Sequence, residues 1–170
     1  MAAEQRGFFV APVSKEDLIE IANLRVLLEN YALEAAIQHG DVQWEGELVA
    51  AYHKLKLMEN RMQSGDLSEK ELWKRCDWNF HKALISACQS SNLLAIHRIV
   101  YDKYLRYQML VLTFRGESAS CEHKDMLDAA LSRDSQRARA ILEQHVNLGL
   151  EHAMAAFKQG GLNPASQAQT

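Results

Sequence analysis

Proline is nearly absent from this 170-residue chain: it has two, Pro12 and Pro164, and both lie in the flanks. A proline inside a helix removes a hydrogen bond and clashes with the preceding turn, so the long stretch between them is free to be helical throughout. Long apolar runs are lacking too. Nothing approaches the roughly 20 consecutive apolar residues of a membrane span, and no apolar run near Met1 resembles a secretion signal. Cysteine is scarce: Cys76, Cys88 and Cys121 make an odd count with no CxxC pair. That argues against a disulfide framework and fits the reducing cytoplasm. A basic excess is also missing. The formal net charge is -3, whereas a nucleic-acid-binding domain usually carries surplus basic residues on one face. This chain alone is not expected to hold DNA.

What remains is the composition of one globular domain, with 48% hydrophobic residues to fill a core and 24% charged residues to solvate its surface. Residues 1–13 stand apart: Gly7-Phe8-Phe9-Val10-Ala11-Pro12-Val13 is short, apolar and extended in character. Ser14, with Asp17 three residues on, predicts the N-cap of a first helix running to about Gln38 and stopped by Gly40. A second helix is predicted over Val42–Gln63, closed by Ser64-Gly65-Asp66. The capping box Ser68…Glu71 predicts a third, running to about Cys88. Ser90-Ser91-Asn92 breaks the chain before a long fourth helix, apolar nearly all round and expected to be central, that reaches about Phe114. A fifth covers Glu117–Leu131, and Asp134 caps a sixth that fades at Gly160-Gly161. The polar tail from 161 to 170 reads as disordered. Six to seven helices, short connections and no strand pattern describe an all-α antiparallel bundle.

Polar residues inside apolar helix faces carry the functional signal. The inward stripe of the third helix reads Trp73, Asp77, Phe80/His81, Leu84, Cys88. Asp77 and His81 are four apart and so point the same way from adjacent turns. His123 shares a face with Leu127 and Ala130, and His145 sits among Ala138, Ile141/Leu142 and Leu148/Gly149. Burying an unpartnered carboxylate or imidazole costs several kcal/mol, and three helices accept that penalty. Gathering Asp77, His81, His123 and His145 around one divalent cation would offset all of it together. Histidine with carboxylate suits zinc first, with nickel or manganese as alternatives. The competing reading leaves each histidine as a satisfied core residue and Asp77–His81 as an intrahelical hydrogen bond. His39, His53 and His97 have weaker cases as ligands. His152, seven residues after His145 on the same face, is the first substitute.

Arg25 poses a similar choice. It lies in the stripe Leu18, Ile21/Ala22, Arg25, Leu28, Ala32, Ala35, where it either pairs with Glu29 or offers its planar fork to a ligand carboxylate. Tyr104 and Arg106 of the fourth helix are further pocket candidates, against the simpler fates of core packing and a solvated charge. Two other function classes are open at this point. A metal-dependent hydrolase would use the cation to activate water, but neither a second carboxylate placed as a general base nor an activated nucleophile is evident. A purely structural bundle would use no metal.

These residues resemble the FCD (FadR C-terminal) effector-binding domain of GntR-family transcription regulators, over roughly residues 15–157. The resemblance rests on Leu24-Arg25-Val26-Leu27-Leu28-Glu29 with Ala35-Ala36, on Asp77-Trp78-Asn79-Phe80-His81, on Ser91-Asn92-Leu93-Leu94, on Glu122-His123, and on Ala138 with His145. It implies an FCD-like bundle over 15–160 and a divalent metal on Asp77, His81, His123 and His145. It further implies a small carboxylate effector, such as a dicarboxylate like glutarate, held by the metal and by Arg25 or Asn92. Residues 1–14 then resemble the end of a winged-helix wing and its linker, which places DNA binding in a domain outside this chain. A homodimer in the cytoplasm and no enzymatic activity complete the expectation.

Overall fold

The computed structural model describes residues 14–111 and 114–159. Among them are six helices and no strand: α1 (Lys15–His39), α2 (Val42–Gln63), α3 (Lys70–Ile85), α4 (Ser91–Val111), α5 (Glu117–Leu131) and α6 (Ser135–Gln159). The wing-like residues 1–13 and the tail 161–170 of the sequence reading lie outside the described residues.

The helix starts mostly follow local capping chemistry. Ser14 Oγ accepts from Asp17 N at 2.9 Å, Asp41 Oδ1 from Trp44 N at 2.9 Å, and Asp134 Oδ1 from Arg137 N at 2.9 Å. Each contact satisfies one of the backbone N–H groups that a helix leaves unpaired at its first turn. The expected Ser68 cap does not form. Ser68 spends its hydroxyl and its backbone N–H on Asp66 Oδ1, at 2.6 and 3.1 Å. With that serine committed to the loop, α3 opens at Lys70, after Glu69, which makes no capping contact. It also ends at Ile85, short of Cys88, because Ser86 N and Cys88 N reach back only three residues, to Ala83 O and Ile85 O. In the α2–α3 loop Gly65 takes φ +84, a left-handed conformation where a side chain would be strained.

Gly40 ends α1 for a different reason from the one expected. Its φ of -62 is open to any residue, but a Cβ there would stand 2.2 Å from Trp44 Cε3 and 2.7 Å from Ala36 O. Glycine is needed so that α2 can turn back closely, with the Trp44 ring against the chain. Trp44 Nε1 then donates to Ala83 O at 2.9 Å, tying the start of α2 to α3.

The core is built where α1 packs on α6 and α4, α2 on α3 and α5, and α5 on α6. Leu18, Leu33, Leu48, Leu55, Phe80, Leu84, Met126 and Leu142 are among its fully buried apolar side chains. The buried line of α1 runs through Glu29, Ala32, Leu33 and Ala36, so Leu28 and Ala35 fall beside it. Nor is α4 central. It presents His97, Val100, Tyr101, Tyr104 and Tyr107 to the bundle, while Ile96 and Ile99 on its other side are 53% and 61% exposed. No described helix is long and apolar enough to cross a membrane.

Candidate metal centre

Helix packing brings Asp77 and His81 of α3, His123 of α5 and His145 of α6 into one buried cluster. Each offers one potential ligand atom, and these four atoms lie within 4.8 Å of one another. The ring centroids of His123 and His145 are 4.6 Å apart, those of His81 and His145 5.1 Å, and those of His81 and His123 5.7 Å. Four polar groups converge here with few partners for their inner atoms. The Nε2 atoms of His81 and His123 are buried without a hydrogen bond. His123 Nε2 lies 3.3 Å from Asp77 Oδ1, but off the angle a hydrogen bond requires.

The outer atoms are well provided for. His123 Nδ1 is 2.6 Å from Glu59 Oε1, and His145 Nδ1 is 2.7 Å from Glu122 Oε2. His81 Nδ1 lies 3.1 Å from Arg25 Nη2 and 3.4 Å from Glu29 Oε2. An imidazole that donates Nδ1–H to a carboxylate keeps Nε2 as a bare lone pair, the form that binds a cation. For His81 the contact with Glu29 is the one compatible with ligation. Asp77 is steadied in the same way: its Oδ2 accepts from Lys74 Nζ at 3.2 Å and from the Tyr101 hydroxyl at 3.3 Å, on the side away from Oδ1. The carboxylates are anchored in turn. Ser120 Oγ donates to Glu59 Oε2 at 2.6 Å and accepts from Lys56 Nζ at 2.8 Å, while Arg115 donates to both oxygens of Glu122, at 3.0 and 2.6 Å.

Electrostatics keep Asp77, His81 and His145 in ligand form, and His123 is the exception. Burial pushes the His81 pKa down to about 4, aided by the Arg25 guanidinium and opposed by Glu29. Burial holds His145 well below the usual imidazole range against the pull of Glu122, with His123, His81 and Arg115 adding to the depression. For His123 burial also acts downward, but the nearby carboxylates of Asp77 and Glu59, the latter at hydrogen-bond distance, outweigh it and raise its pKa. Asp77 would be raised by burial, yet Lys74 and the neighbouring histidines hold it well below the usual carboxylate range. Three histidines and one carboxylate at this spacing fit a divalent first-row ion with coordination positions left for a further ligand.

Arg25 is buried and both of its suggested roles have a footing. Its Nε donates to Glu29 Oε1 at 2.6 Å, which is the pairing the sequence allowed. It also lines a cavity beside the cluster, with Tyr104, Asp77, His123 and His145. Its guanidinium lies over the rings of Tyr101 and Tyr104, 4.5 and 4.8 Å from their centroids. Asn92 and Arg106 are elsewhere. Asn92 is exposed in the first turn of α4, rotated about 180° from Tyr101 by the helix period, and Arg106 stacks on Tyr107 at 5.3 Å, outside the cavity lining. Among the other histidines, His152 lines the cavity, His97 Nε2 contacts Glu29 Oε1 at 2.8 Å, His39 turns back on Ala35 O, and His53 is exposed. The sequence reading missed Glu59, Lys74 and Arg115, and gave Glu29 and Glu122 no part in holding the histidines. Their signal was present: Glu59 follows Leu55 by four and precedes Met62 by three, so it shares their buried face.

The fold is that of an FCD domain. The FCD domain model matches residues 20–148. BphR, an HTH-type transcriptional regulator of Paraburkholderia xenovorans (strain LB400), is 33% identical over 160 residues, covering 93% of this chain and 64% of that protein. The HTH-type transcriptional repressor GlaR of Escherichia coli (strain K12) is 30% identical over 150 residues, covering 84% and 66%. This chain thus spans about two thirds of the length of these relatives. Among solved structures, E. coli McbR/YncC superposes with a TM-score of 0.76 at 18% identity, covering 91% of this chain and 76% of that one. The metal-free FCD domain of TM0439 superposes at 0.70 and 17% identity, covering 86% and 98%. The chain belongs to the FCD domain family.

Removing a ligand should therefore differ sharply from removing a bystander. His145→Ala should weaken zinc binding at least about tenfold, and His53→Ala should leave it unchanged, as read by competition with a chromophoric chelator. Because the pKa of His123 is raised, zinc should have to displace its proton at a higher pH than for an ordinary histidine, and affinity should fall as the pH drops. Equal affinities in the two variants would remove His145 from the centre.

Proposed function

We propose that this chain is the ligand-sensing domain of a GntR-type regulator, acting in the cytoplasm and controlling a DNA-reading domain outside it. Asp77, His81, His123 and His145 hold one divalent ion, zinc in the first instance. A small organic acid is the effector. The observation that carries this reading is the inward-facing donor set, each member steadied from behind by a carboxylate or by Lys74 and Tyr101. The bound ion would supply positive charge and open coordination positions for one carboxylate oxygen of the effector. Arg25, at the cavity wall, would orient the same end of the molecule. Sensing rather than turnover is favoured because the relatives BphR and GlaR are transcription regulators by name.

The free space in the cavity is about 40 Å³, room for only a few water molecules. An organic acid must move some of the lining, which belongs to α1, α3, α4, α5 and α6 and to Arg115 before α5. That movement is the signal: a ligand that binds one arrangement better shifts the population towards it.

A two-fold partner would let such a regulator read two half-sites. The apolar surface is in place. Leu24, Leu27 and Tyr31 lie exposed along one face of α1, and Ile96 and Ile99 along α4, the helix packed beside it. We therefore propose that this face joins two copies.

Calorimetry with a panel of short organic acids tests the sensor. Acids should bind zinc-loaded protein and fail to bind protein stripped with chelator; equal binding to both would remove the ion from the mechanism. Arg25→Lys keeps the charge that Glu29 needs but loses the planar fork, so it should weaken binding about tenfold with zinc content unchanged. For the dimer, light scattering at micromolar concentration should give twice the chain mass, and Leu27→Glu should halve it. A wild-type monomer would contradict the interface.

A further inference from the structure

One of the three histidines of the cluster meets an arginine where the other two meet a carboxylate. Arg25 Nη2 lies 3.1 Å from His81 Nδ1 in hydrogen-bonding geometry, while Arg25 Nε donates to Glu29 Oε1 at 2.6 Å. A guanidinium has no acceptor, so the ring nitrogen it touches must be the bare one. The single proton of the neutral imidazole then sits on Nε2, the atom a cation would need. That Nε2 is buried and makes no hydrogen bond. The other candidate partner of Nδ1, Glu29 Oε2, stands farther off at 3.4 Å. Glu29 is also in demand elsewhere, since its Oε1 contacts His97 Nε2 of α4 at 2.8 Å. His123 and His145 show the reverse arrangement. His123 Nδ1 is 2.6 Å from Glu59 Oε1, and His145 Nδ1 is 2.7 Å from Glu122 Oε2, nearer than Arg115 Nη2 at 3.0 Å. A carboxylate that close requires a proton between the two atoms, which leaves Nε2 bare.

A cation on His81 Nε2 and a hydrogen bond from Arg25 to His81 Nδ1 are thus alternatives. We propose that Arg25 latches His81 in its non-ligating tautomer while the site is empty, and that binding of the ion breaks this hydrogen bond. Nε2 gives up its proton to water, and Nδ1 takes one and donates it to Glu29 Oε2, so the ring stays neutral throughout. This rests on the metal centre proposed above. Arg25 would not touch the ion; it is a positioning residue that sets the form in which one ligand meets it. The latch also carries occupancy beyond the ligands. Arg25 belongs to α1, lines the cavity, and packs over Tyr101 and Tyr104 of α4. Loading the ion therefore releases a donor at the cavity wall, between the two helices that bear the exposed apolar face.

Long-range 1H–15N correlation of the histidine rings, in chelator-stripped and in zinc-loaded protein, tests it. The His81 signals are assigned by comparison with His81→Gln. In stripped protein His81 should show a bare Nδ1 and a protonated Nε2, and zinc should reverse that pattern. His145 should keep a protonated Nδ1 in both states. Arg25→Lys retains a positive charge for Glu29 but cannot reach both acceptors at once. In that variant stripped His81 should carry its proton on Nδ1, and zinc affinity, read by chelator competition, should rise several-fold because no latch is broken. A protonated Nδ1 on His81 in stripped wild-type protein would overturn the latch and leave the metal centre standing. An Arg25→Lys variant with the wild-type tautomer and wild-type zinc affinity would also overturn it. Zinc that left all three histidine rings unchanged would overturn the metal centre and the latch with it.

Discussion

Everything in this domain is arranged around the contact between a buried imidazole Nδ1 and a carboxylate behind it. A histidine in an apolar bundle can face inward with a bare Nε2 only if its other nitrogen is held; Glu59 and Glu122 stand in that position for His123 and His145, and His81 Nδ1 lies 3.4 Å from the Glu29 carboxylate and 3.1 Å from Arg25 Nη2. The three carboxylates come from α1, α2 and α5, and the three histidines from α3, α5 and α6. The site thus draws on five of the six helices. The carboxylates are themselves buried and need neutralising, which accounts for the next layer: Arg25 on Glu29, the Lys56–Ser120 pair on Glu59, Arg115 on Glu122. Breaking a buried pair by removing one partner costs about 3–5 kcal/mol. A substitution in this outer layer would therefore act on both stability and the cluster.

The fold was legible because helical punctuation is local. Ser14, Asp41 and Asp134 each announce a helix through a contact to a residue three positions on. Where another residue competes for the same serine, as Asp66 does for Ser68, sequence pattern misplaces the boundary by a residue or two. The cluster was legible for a related reason: Asp77, His81, His123 and His145 interrupt apolar stripes, and that irregularity survives without knowledge of the packing. The outer shell was harder. Glutamate is common on solvated helix faces, so Glu59 and Glu122 look ordinary until α5 is set against α2 and α6. Asn92 fails as a pocket residue by helix phase, which a motif match at the start of α4 does not weigh.

Packing also links the cavity to the beginning of the domain. Helix α4 carries Tyr104 and Gln108 at the cavity and Tyr107 one turn beyond Tyr104. The Tyr107 hydroxyl donates to Asp17 Oδ2 and accepts from Ser14 N, at the cap of α1. Close-packed interiors transmit small shifts as rigid movements of whole elements. An acid that displaced Tyr104 or Gln108 would thereby move the contact that fixes the first described residues.

The central claim is that the four inner donors share one cation through Asp77 and the three Nε2 atoms. Anomalous diffraction at the zinc absorption edge, from crystals of protein purified without chelator, tests it directly. The account predicts one peak per chain, about 2.0–2.2 Å from an Asp77 oxygen and from Nε2 of His81, His123 and His145, with each Nδ1 still on its carboxylate. A peak at other residues, ligation through Nδ1, or an empty cluster after soaking in zinc would contradict it.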